Sequence, residues 1–457
     1  MKRVFGIIII FISSVSCSLD IPVEDEITGL DVIDNIDIAN ETLSGIYNSY
    51  PKDKVMFSKL ADDFYPNHTI SENTFDFNLY RWETNELIVW AASLWQDYYH
   101  SISRANVLLN QIASIQTTNS KEEEILDFIH AQTLALKAFS YLDLTQLYAP
   151  RYSYLTREQD GIILKDNIAS EEKSRATMEA SYREIERLLL RAIELFPPET
   201  TTKYRFSKNS AKALLARVYL HWNKYEKAIV LCDELLKRNI NQESYASLWR
   251  SPDNSEETLL VFDNEEFNYA SLFDNISGEY EYYIHFSITY GINDYRKDIN
   301  LLEDDFRKLD NSVIRADFLG KYRNSLVDET PKPIVGIRLA ELHFIKSEAL
   351  YKLSREEESR EALNSFLSLR NASPVTTTGS IFLQDLLREK QKEFLGEGIR
   401  YFDLKRNRLL LERVDFNDHA IIDQISTDDF RWVFPIPENE IRQNKRVQQN
   451  PEWEKLI

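Results

Sequence analysis

Cysteine and glycine are both scarce in this sequence. Among 457 residues there are two cysteines, Cys17 and Cys232, and 11 glycines. If Cys17 is modified, as its context indicates below, Cys232 is left without a partner and no intramolecular disulfide can form. Glycine usually makes up about 7% of a protein, so its scarcity disfavours architectures built from glycine-rich strands and turns. The sequence therefore predicts a mainly α fold that is stabilised by packing.

The sequence has fewer basic than acidic residues, and it has no long apolar run. The 54 lysines and arginines face 74 aspartates and glutamates, which gives a formal net charge of -20. Proteins that bind nucleic acid need lysine and arginine to displace counterions from the phosphates, so nucleic acid is not an expected partner. No stretch approaches the roughly 18 consecutive apolar residues of a membrane-spanning helix. The chain is therefore not expected to span a membrane.

The motifs that identify common enzyme classes are absent. The chain has no G-x-S-x-G nucleophile elbow, no H-E-x-x-H zinc helix, no C-x-x-C pair, no P-loop and no G-x-G-x-x-G loop. The seven histidines lie far apart along the sequence, and isolated histidines are more often structural than catalytic. We therefore expect a protein that is not an enzyme, with no catalytic residue, no metal site and no cofactor. The 74 carboxylates leave one alternative open, a hidden acid pair of the kind that hydrolyses glycans.

The N-terminus has the features of a bacterial lipoprotein leader. Lys2 and Arg3 precede an apolar run over residues 4–12, and the segment Ser-Ser-Val-Ser at 13–16 leads to Cys17. A basic start, a short apolar run and small residues are typical of a secretory signal peptide. A cysteine at this position can be acylated and become the first residue of the mature chain, and buried acyl chains hold a protein at a membrane. The sequence predicts a signal peptide at 1–16 and a lipid anchor at Cys17.

An acidic tether is predicted between the anchor and the folded body. Residues 17–36 are rich in Asp and Glu, which is typical of a flexible segment. The body is expected to span 37–457. Within it, apolar residues at three- and four-residue spacing predict helices from Trp95 to about Ile112, from about Glu122 to Leu147, and from about Thr177 to Phe196.

The most regular unit of the body is a predicted helix pair at 210–223 and 225–237. Ala216, Tyr219, Ala228 and Cys232 fall at the small and aromatic positions of a tetratricopeptide repeat. One such pair cannot bury its own faces, so neighbouring helix pairs must stack on it.

We expect the repeat helices to cover about 86–239 and 336–372. Between them, over about 240–335, the helical period breaks up, and only one short strand, Thr258 to Phe262, is predicted in this irregular, loop-rich region.

A charged elbow is predicted near the C-terminus, at residues 387–406. Glu389 and Glu393 share one helical face, and Arg400, Asp403 and Arg406 share another after a glycine stop, so the pattern predicts two helices joined by ion pairs.

The elbow resembles the C-terminal signature of the SusD/RagB family of outer-membrane nutrient-binding lipoproteins of Bacteroidetes. That signature has an acidic-basic helix followed by E-G-x-R and D-L-x-R, which match residues 397–400 and 403–406. Two departures, Lys390 in place of the usual Arg and Tyr401 in place of a common Trp, leave the charge and packing of the elbow intact. Further matches, in order along the chain, are Trp95 with Tyr99 and Asn106, Ala138 to Tyr141, the pair at 210–237, Ile337 to Leu342, Ser347 to Ala349, Phe434 to Ile441 and Gln449 to Pro451.

The resemblance implies a binding protein on the outer face of the outer membrane. It would be held there by the lipid anchor, capture a glycan or a peptide, and deliver it to a TonB-dependent transporter of the SusC type. Two alternatives belong to other classes: a surface-anchored glycan hydrolase and a repeat scaffold for protein partners.

Aromatic residues in irregular segments are the expected ligand site. The faces of sugar rings stack on aromatic side chains, so exposed aromatics in loops are the favoured contacts. One cluster lies at 75–82 and a larger one at 262–295. From these clusters the predicted ligand-binding residues are Tyr80, Trp82, Tyr283 and Tyr290.

Overall fold

Helices account for most of the computed structural model, which describes residues 32–66, 74–167, 172–198, 202–237, 244–273, 282–307, 313–415 and 418–456. The mainly helical fold predicted from the sequence is confirmed. In chain order the helices are α1 (Ile36–Ser49), α2 (Val55–Leu60), α3 (Phe75–Tyr80), α4 (Thr84–Gln111), α5 (Ser120–Tyr148), α6 (Met178–Leu195), α7 (Lys208–His221), α8 (Tyr225–Leu235), α9 (Ser244–Arg250), α10 (Lys297–Asn300), α11 (Leu339–Lys352), α12 (Glu356–Leu369), α13 (Gly379–Glu393), α14 (Arg400–Asn407) and α15 (Glu438–Gln443).

The start of the chain is only partly described. The predicted signal peptide at 1–16, the anchor Cys17 and most of the tether at 17–36 lie outside the described residues. Ile33–Ile457 form one compact unit, and Ile33 is fully buried. The body therefore begins a few residues earlier than the sequence predicted. Among the described helices, none combines the length and apolar character that a membrane crossing requires.

Helix ends follow local side-chain chemistry. The Thr177 side chain accepts a hydrogen bond from the Ala180 N–H at the start of α6, and Pro197 and Pro198 follow its end because proline cannot continue a helix. Helix α4 begins at Thr84, well before the predicted start near Trp95. Helices α5 and α6 match their predicted bounds to within about two residues, which is the usual uncertainty of helix ends.

The regular helix pair is α7 with α8. These helices pack against each other, and α11 packs on both, with α12 beyond it. Ala216, Ala228 and Cys232 are fully buried, so small side chains lie where the helices approach. Burial also raises the pKa of the Cys232 thiol well above its usual range, as expected for a packing residue and not for a nucleophile.

The region between about 240 and 335 contains more strand than predicted. The strands of the described chain are β1 (Phe64–Pro66), β2 (Thr258–Phe262), β3 (Tyr282–Ile284), β4 (Leu301–Arg307), β5 (Val313–Leu319), β6 (Ile334–Arg338), β7 (Leu411–Val414) and β8 (Ile421–Ile425). Strand β2 has the predicted bounds, but β3, β4 and β5 were missed. The strands pair as antiparallel two-stranded sheets, β1 with β3, β2 with β6, β4 with β5 and β7 with β8. Strand β4, with sequence LLEDDFR, lacks the alternation that signals a half-buried strand.

A buried ion network fixes the irregular region to the helices. Glu393, at the end of α13, accepts hydrogen bonds from Arg338 at 2.6 Å and from Arg370 at 2.9 Å. The same two arginines bind Glu257, which precedes β2, at 2.7 and 2.9 Å. None of these side chains is more than 1% exposed. We call these four residues the Glu393 network; it joins β2, β6, α12 and α13.

Ion pairs join the two helices of the elbow, as predicted, and extend beyond it. Asp403 pairs with Arg406 as expected, at 2.6 Å. Arg406 also binds Glu348 of α11, and Lys390 binds Asp403 at 2.8 Å, which preserves the charge at this departure from the family pattern. The elbow is thus held by ion pairs between its own helices and by a further pair with α11.

We expect the Glu348–Arg406 pair to make stability depend on pH in acid. Burial opposes ionisation of Glu348, but Arg406 beside it outweighs burial and lowers its pKa from 4.5 to about 2. Because the folded pKa lies below the unfolded one, the stabilisation is complete above pH 4.5 and is lost as the pH falls towards 2. Glu348→Gln should lower the free energy of unfolding by about 3 kcal/mol at neutral pH.

The difference between wild type and Glu348→Gln should shrink below pH 4.5, because the wild type then loses the ionised carboxylate. Urea unfolding at several pH values measures this difference. Glu361→Gln, at an exposed position of α12, serves as the control. A difference that stays constant down to pH 3 would contradict the assignment.

Candidate functional site

Trp82, one of the four predicted ligand-binding residues, lies in the core. Its side chain is fully buried. The indole N–H donates to the Leu60 carbonyl at 3.0 Å, and the ring packs against Trp432 and Tyr401 at centroid distances of 4.6 and 5.8 Å. The segment before it is helix α3 and not a loop, and Trp82 itself turns inward with φ of 60°.

Tyr80 is buried beside it. The Tyr80 hydroxyl accepts a hydrogen bond from the Val414 N–H at 3.2 Å. The Arg413 guanidinium covers the ring at 4.4 Å from its centroid. A ring enclosed in this way has no face left for a ligand.

Tyr283 and Tyr290 are also engaged with the protein. Tyr283 is 1% exposed and packs edge-on against Phe318 at 5.1 Å. Tyr290 is half-buried, and its hydroxyl donates to the Lys392 carbonyl at 2.9 Å. The expectation that these four aromatics are exposed is therefore not met, because each completes the packing between neighbouring segments.

An exposed aromatic cluster does exist close to them. Phe286 lies between two histidine rings, with centroid distances of 4.4 Å to His285 and 4.1 Å to His419 and interplanar angles of 26° and 12°. Tyr65 meets all three rings nearly edge-on, at 5.6 to 6.1 Å. Phe286 is 46% exposed, and His419 is exposed as well. We call His285, Phe286 and His419 the aromatic stack.

Three chain segments position the aromatic stack. Strands β1 and β3 pair with Tyr65 opposite Tyr283, and the chain leaves β3 directly into His285 and Phe286. His419 comes from the turn between β7 and β8. Phe286 belongs to the aromatic cluster at 262–295, whereas the two histidines are isolated in sequence. No local pattern could show that residues so far apart in sequence stack together.

His285 is held as a neutral ring. The Ser287 N–H donates to its Nδ1 at 3.3 Å, and the Ser287 hydroxyl lies 2.7 Å from the same atom. Nδ1 is therefore the acceptor, which leaves the proton on Nε2. Burial lowers the pKa of His285 to about 4, so the ring is uncharged at neutral pH. An uncharged imidazole can stack without the cost of desolvating an ion.

Two carboxylates lie behind the aromatic stack. The Asp63 carbonyl accepts a hydrogen bond from the His285 N–H at 2.9 Å, and Asp62 forms a two-point ion pair with Arg400 at 2.7 and 2.8 Å. Burial and the neighbouring Asp62 raise the pKa of Asp63 to about 8. Burial opposes ionisation of Asp62, but Arg400 outweighs it and the pKa of Asp62 is lowered.

Opposite pKa shifts in two neighbouring carboxyl groups, as in Asp62 and Asp63, are typical of an acid–base pair. Asp63 is fully buried, however, and cannot contact a glycan. The pair therefore supports the stack from behind and does not form an accessible hydrolytic site. In the described part of the chain, no group of three or more His, Cys, Asp and Glu side chains is arranged to hold a metal ion.

An interior cavity between α5 and α7 is a poor candidate for the ligand site. Its walls carry the ion pairs Lys54–Asp143, at 2.8 Å, and Arg217–Glu341, at 2.6 Å. Its volume is about 70 Å³, whereas ligand pockets commonly measure about 300–1,000 Å³. Water fits this cavity, but a sugar ring does not.

Two family models match the chain. Residues 20–220 match a SusD-like family described as starch-binding and associating with the outer membrane. Residues 321–453 match the SusD family.

Individual relatives agree with the family matches. The chain is 22% identical to SusD-like protein P38 of Formosa agariphila in an alignment of 432 positions that covers 78% of each protein. A SusD superfamily protein from Bacteroides vulgatus has the same fold, with a TM-score of 0.77 at 24% identity over 92% of this chain and 99% of that one. A laminarin-binding SusD-like protein matches with a TM-score of 0.64 at 20% identity over 92% and 100%.

Replacing Trp82 separates a core role from a ligand-binding role. Trp82→Ala should lower the free energy of unfolding by about 3–5 kcal/mol, because a large buried side chain leaves a cavity. Phe75→Ala, in the same segment but 44% exposed, should change it far less. Chemical denaturation of the two variants measures the difference. Unchanged stability of Trp82→Ala would contradict the core assignment.

Proposed function

We propose a function from the premise that this chain belongs to the SusD/RagB family: it binds a glycan at the cell surface and passes it to a transporter in the outer membrane. Glycan binding is the part with most support, because one matching family is described as starch-binding and one solved relative as laminarin-binding. These relatives are described as binding proteins and not as enzymes. The protein is accordingly proposed to act without covalent chemistry.

The observation that carries the proposal is the exposed aromatic stack. Phe286 and His419 are both exposed and stack on each other beside the strand pairs β1–β3 and β7–β8. Flat apolar rings suit the faces of sugar rings. Hydroxyl groups of the sugar need polar partners, and exposed Asp418 and Ser287 adjoin the rings in sequence. A peptide ligand is the second candidate for the same surface.

The other proposed features follow from the leader. Acylated Cys17 would hold the body at the outer membrane, where the family is described to associate. A body without a transport path of its own must pass its ligand to a protein that has one. A TonB-dependent transporter of the SusC type is the proposed partner, with the lipid as the sole membrane contact.

Phe286→Ala tests the glycan site. Affinity electrophoresis with starch and laminarin identifies a ligand, and calorimetry then measures the affinity. We expect Phe286→Ala to weaken binding by about 1–2 kcal/mol, because the exposed His419 ring then loses the ring on which it stacks. The melting temperature should stay nearly unchanged because the side chain is 46% exposed. Tyr154→Ala, at an aromatic side chain that is 75% exposed on another segment, is the matched control.

Each outcome of the binding test has a distinct meaning. Equal affinity of wild type and Phe286→Ala would place the glycan site away from the aromatic stack. Shortening of the glycan by the purified protein would favour the hydrolase alternative. Failure to bind either polysaccharide, together with binding of peptides, would favour the peptide ligand.

Cys17→Ala tests the anchor. Without the thiol there is no acylation, so the variant should leave the outer-membrane fraction while the wild type stays in it. Retention of the variant would contradict the anchor assignment.

Wild-type membranes test the proposed partner. Mild detergent should release the protein together with a barrel transporter, because stable interfaces commonly bury more than about 1,200 Å². Recovery of free monomer alone would count against the transporter.

A further inference from the structure

A second, smaller cavity lies where the end of α5 meets α14. Its lining includes Gln146 of α5, His221 at the end of α7, and Phe402, Lys405 and Arg406 of α14. Its volume is about 20 Å³, which suffices for one water-sized sphere. We call it the α5–α14 cavity. It shares Gln146, His221 and Phe402 with the interior cavity described above.

Two residues of this lining each have a buried hydrogen-bond donor with no partner in the part of the chain that the structure describes. The two donors are Nε2 of Gln146 and Nε of Arg406. Gln146 is 8% exposed, and a buried donor without an acceptor costs about 1–3 kcal/mol. Both atoms carry N–H groups, so a species that satisfied them would have to be a hydrogen-bond acceptor and not a donor.

Lys405 adds a buried positive charge to the same lining. Its ammonium donates to the carbonyls of Gln146 and Ala149 at 2.6 and 2.9 Å, at the C-terminal end of α5. Among the described residues, no carboxylate forms an ion pair with it. Burial lowers the pKa of Lys405 to about 7, as expected for a cation that lacks a full counter-charge.

The charged groups around the α5–α14 cavity carry more positive than negative charge. Arg151 also lines the cavity. Glu348 and Asp403 are the carboxylates that face Arg406, and both are already bound to its terminal nitrogens, while Asp403 also binds Lys390. The pKa of His221 agrees with this excess of positive charge. Burial lowers it well below the usual range, and the nearby charges lower it further; these are Arg406, Lys390, Arg217 and Lys405.

We propose that the α5–α14 cavity binds a small inorganic anion of the size of chloride. The anion would accept hydrogen bonds from Gln146 Nε2 and Arg406 Nε and would supply the counter-charge that Lys405 lacks. A water molecule also accepts hydrogen bonds, but it must place two hydrogens of its own in a lining rich in donors. This site is separate from the aromatic stack, and it does not depend on the proposed glycan function.

Bromide tests the site directly, because it substitutes for chloride and scatters anomalously. Crystals of the protein soaked in sodium bromide should show an anomalous peak in the α5–α14 cavity within hydrogen-bond reach of Gln146 and Arg406. Peaks confined to surface lysines and arginines, or a water in the cavity, would overturn the proposal.

Thermal unfolding provides an independent readout. Sodium chloride should raise the melting temperature of the wild type by about 2 °C or more over sodium gluconate at equal ionic strength, since a ligand that binds only the folded state stabilises it. Gln146→Leu should lose this chloride dependence, and Gln448→Leu, at an exposed position, should retain it. Equal melting temperatures of the wild type in the two salts would overturn the proposal.

Discussion

The fold depends on neutralising the buried carboxylate of Glu393. Two arginines, Arg338 at the end of β6 and Arg370 after α12, bind it, and both also bind Glu257 before β2. A charge taken out of water is tolerated only when its partners are in place, and removing one partner costs about 3–5 kcal/mol. The segment around Glu257, the helices of the repeat-like side and the C-terminal elbow must therefore assemble together. This explains why a region that looks irregular in sequence has a fixed position.

The aromatic stack is supported by this assembly. Arg400 of α14 binds Asp62, and the next residue, Asp63, holds the start of the His285–Phe286 segment through its carbonyl. Tyr65 lies under the rings and extends from β1. The elbow that carries the family signature is thus connected to the candidate ligand surface through few contacts. The charged residues of the elbow hold the aromatic stack in position and form a rigid support for its side chains, which face solvent.

The periodic parts of the structure were predictable, and the long-range ones were not. Helices α5 and α6 follow from the spacing of apolar residues, and the α13–α14 elbow follows from charge spacing and a glycine stop. The same charge spacing did not reveal that Glu393 bonds to Arg338 and Arg370, because sequence separation hides such partners. Trp82 illustrates a different limit: an aromatic residue near a turn can complete the core or face a ligand, and composition does not distinguish the two. The stack of Phe286 on His419 was hidden for both reasons: the two residues are far apart in sequence, and composition does not show which aromatic residues are exposed.

The backbone of His419 has a left-handed conformation, with φ of 57°. An L-residue adopts this conformation at a cost of about 1 kcal/mol, and glycine would occupy it with less strain. Folding alone would therefore favour a residue without a ring at this turn. The stacking of the imidazole on Phe286 offsets this strain, so contacts between side chains, and not the preference of the backbone, hold the ring at this turn. The ring at this turn can therefore be replaced while the buried ion network, and with it the fold, stays the same.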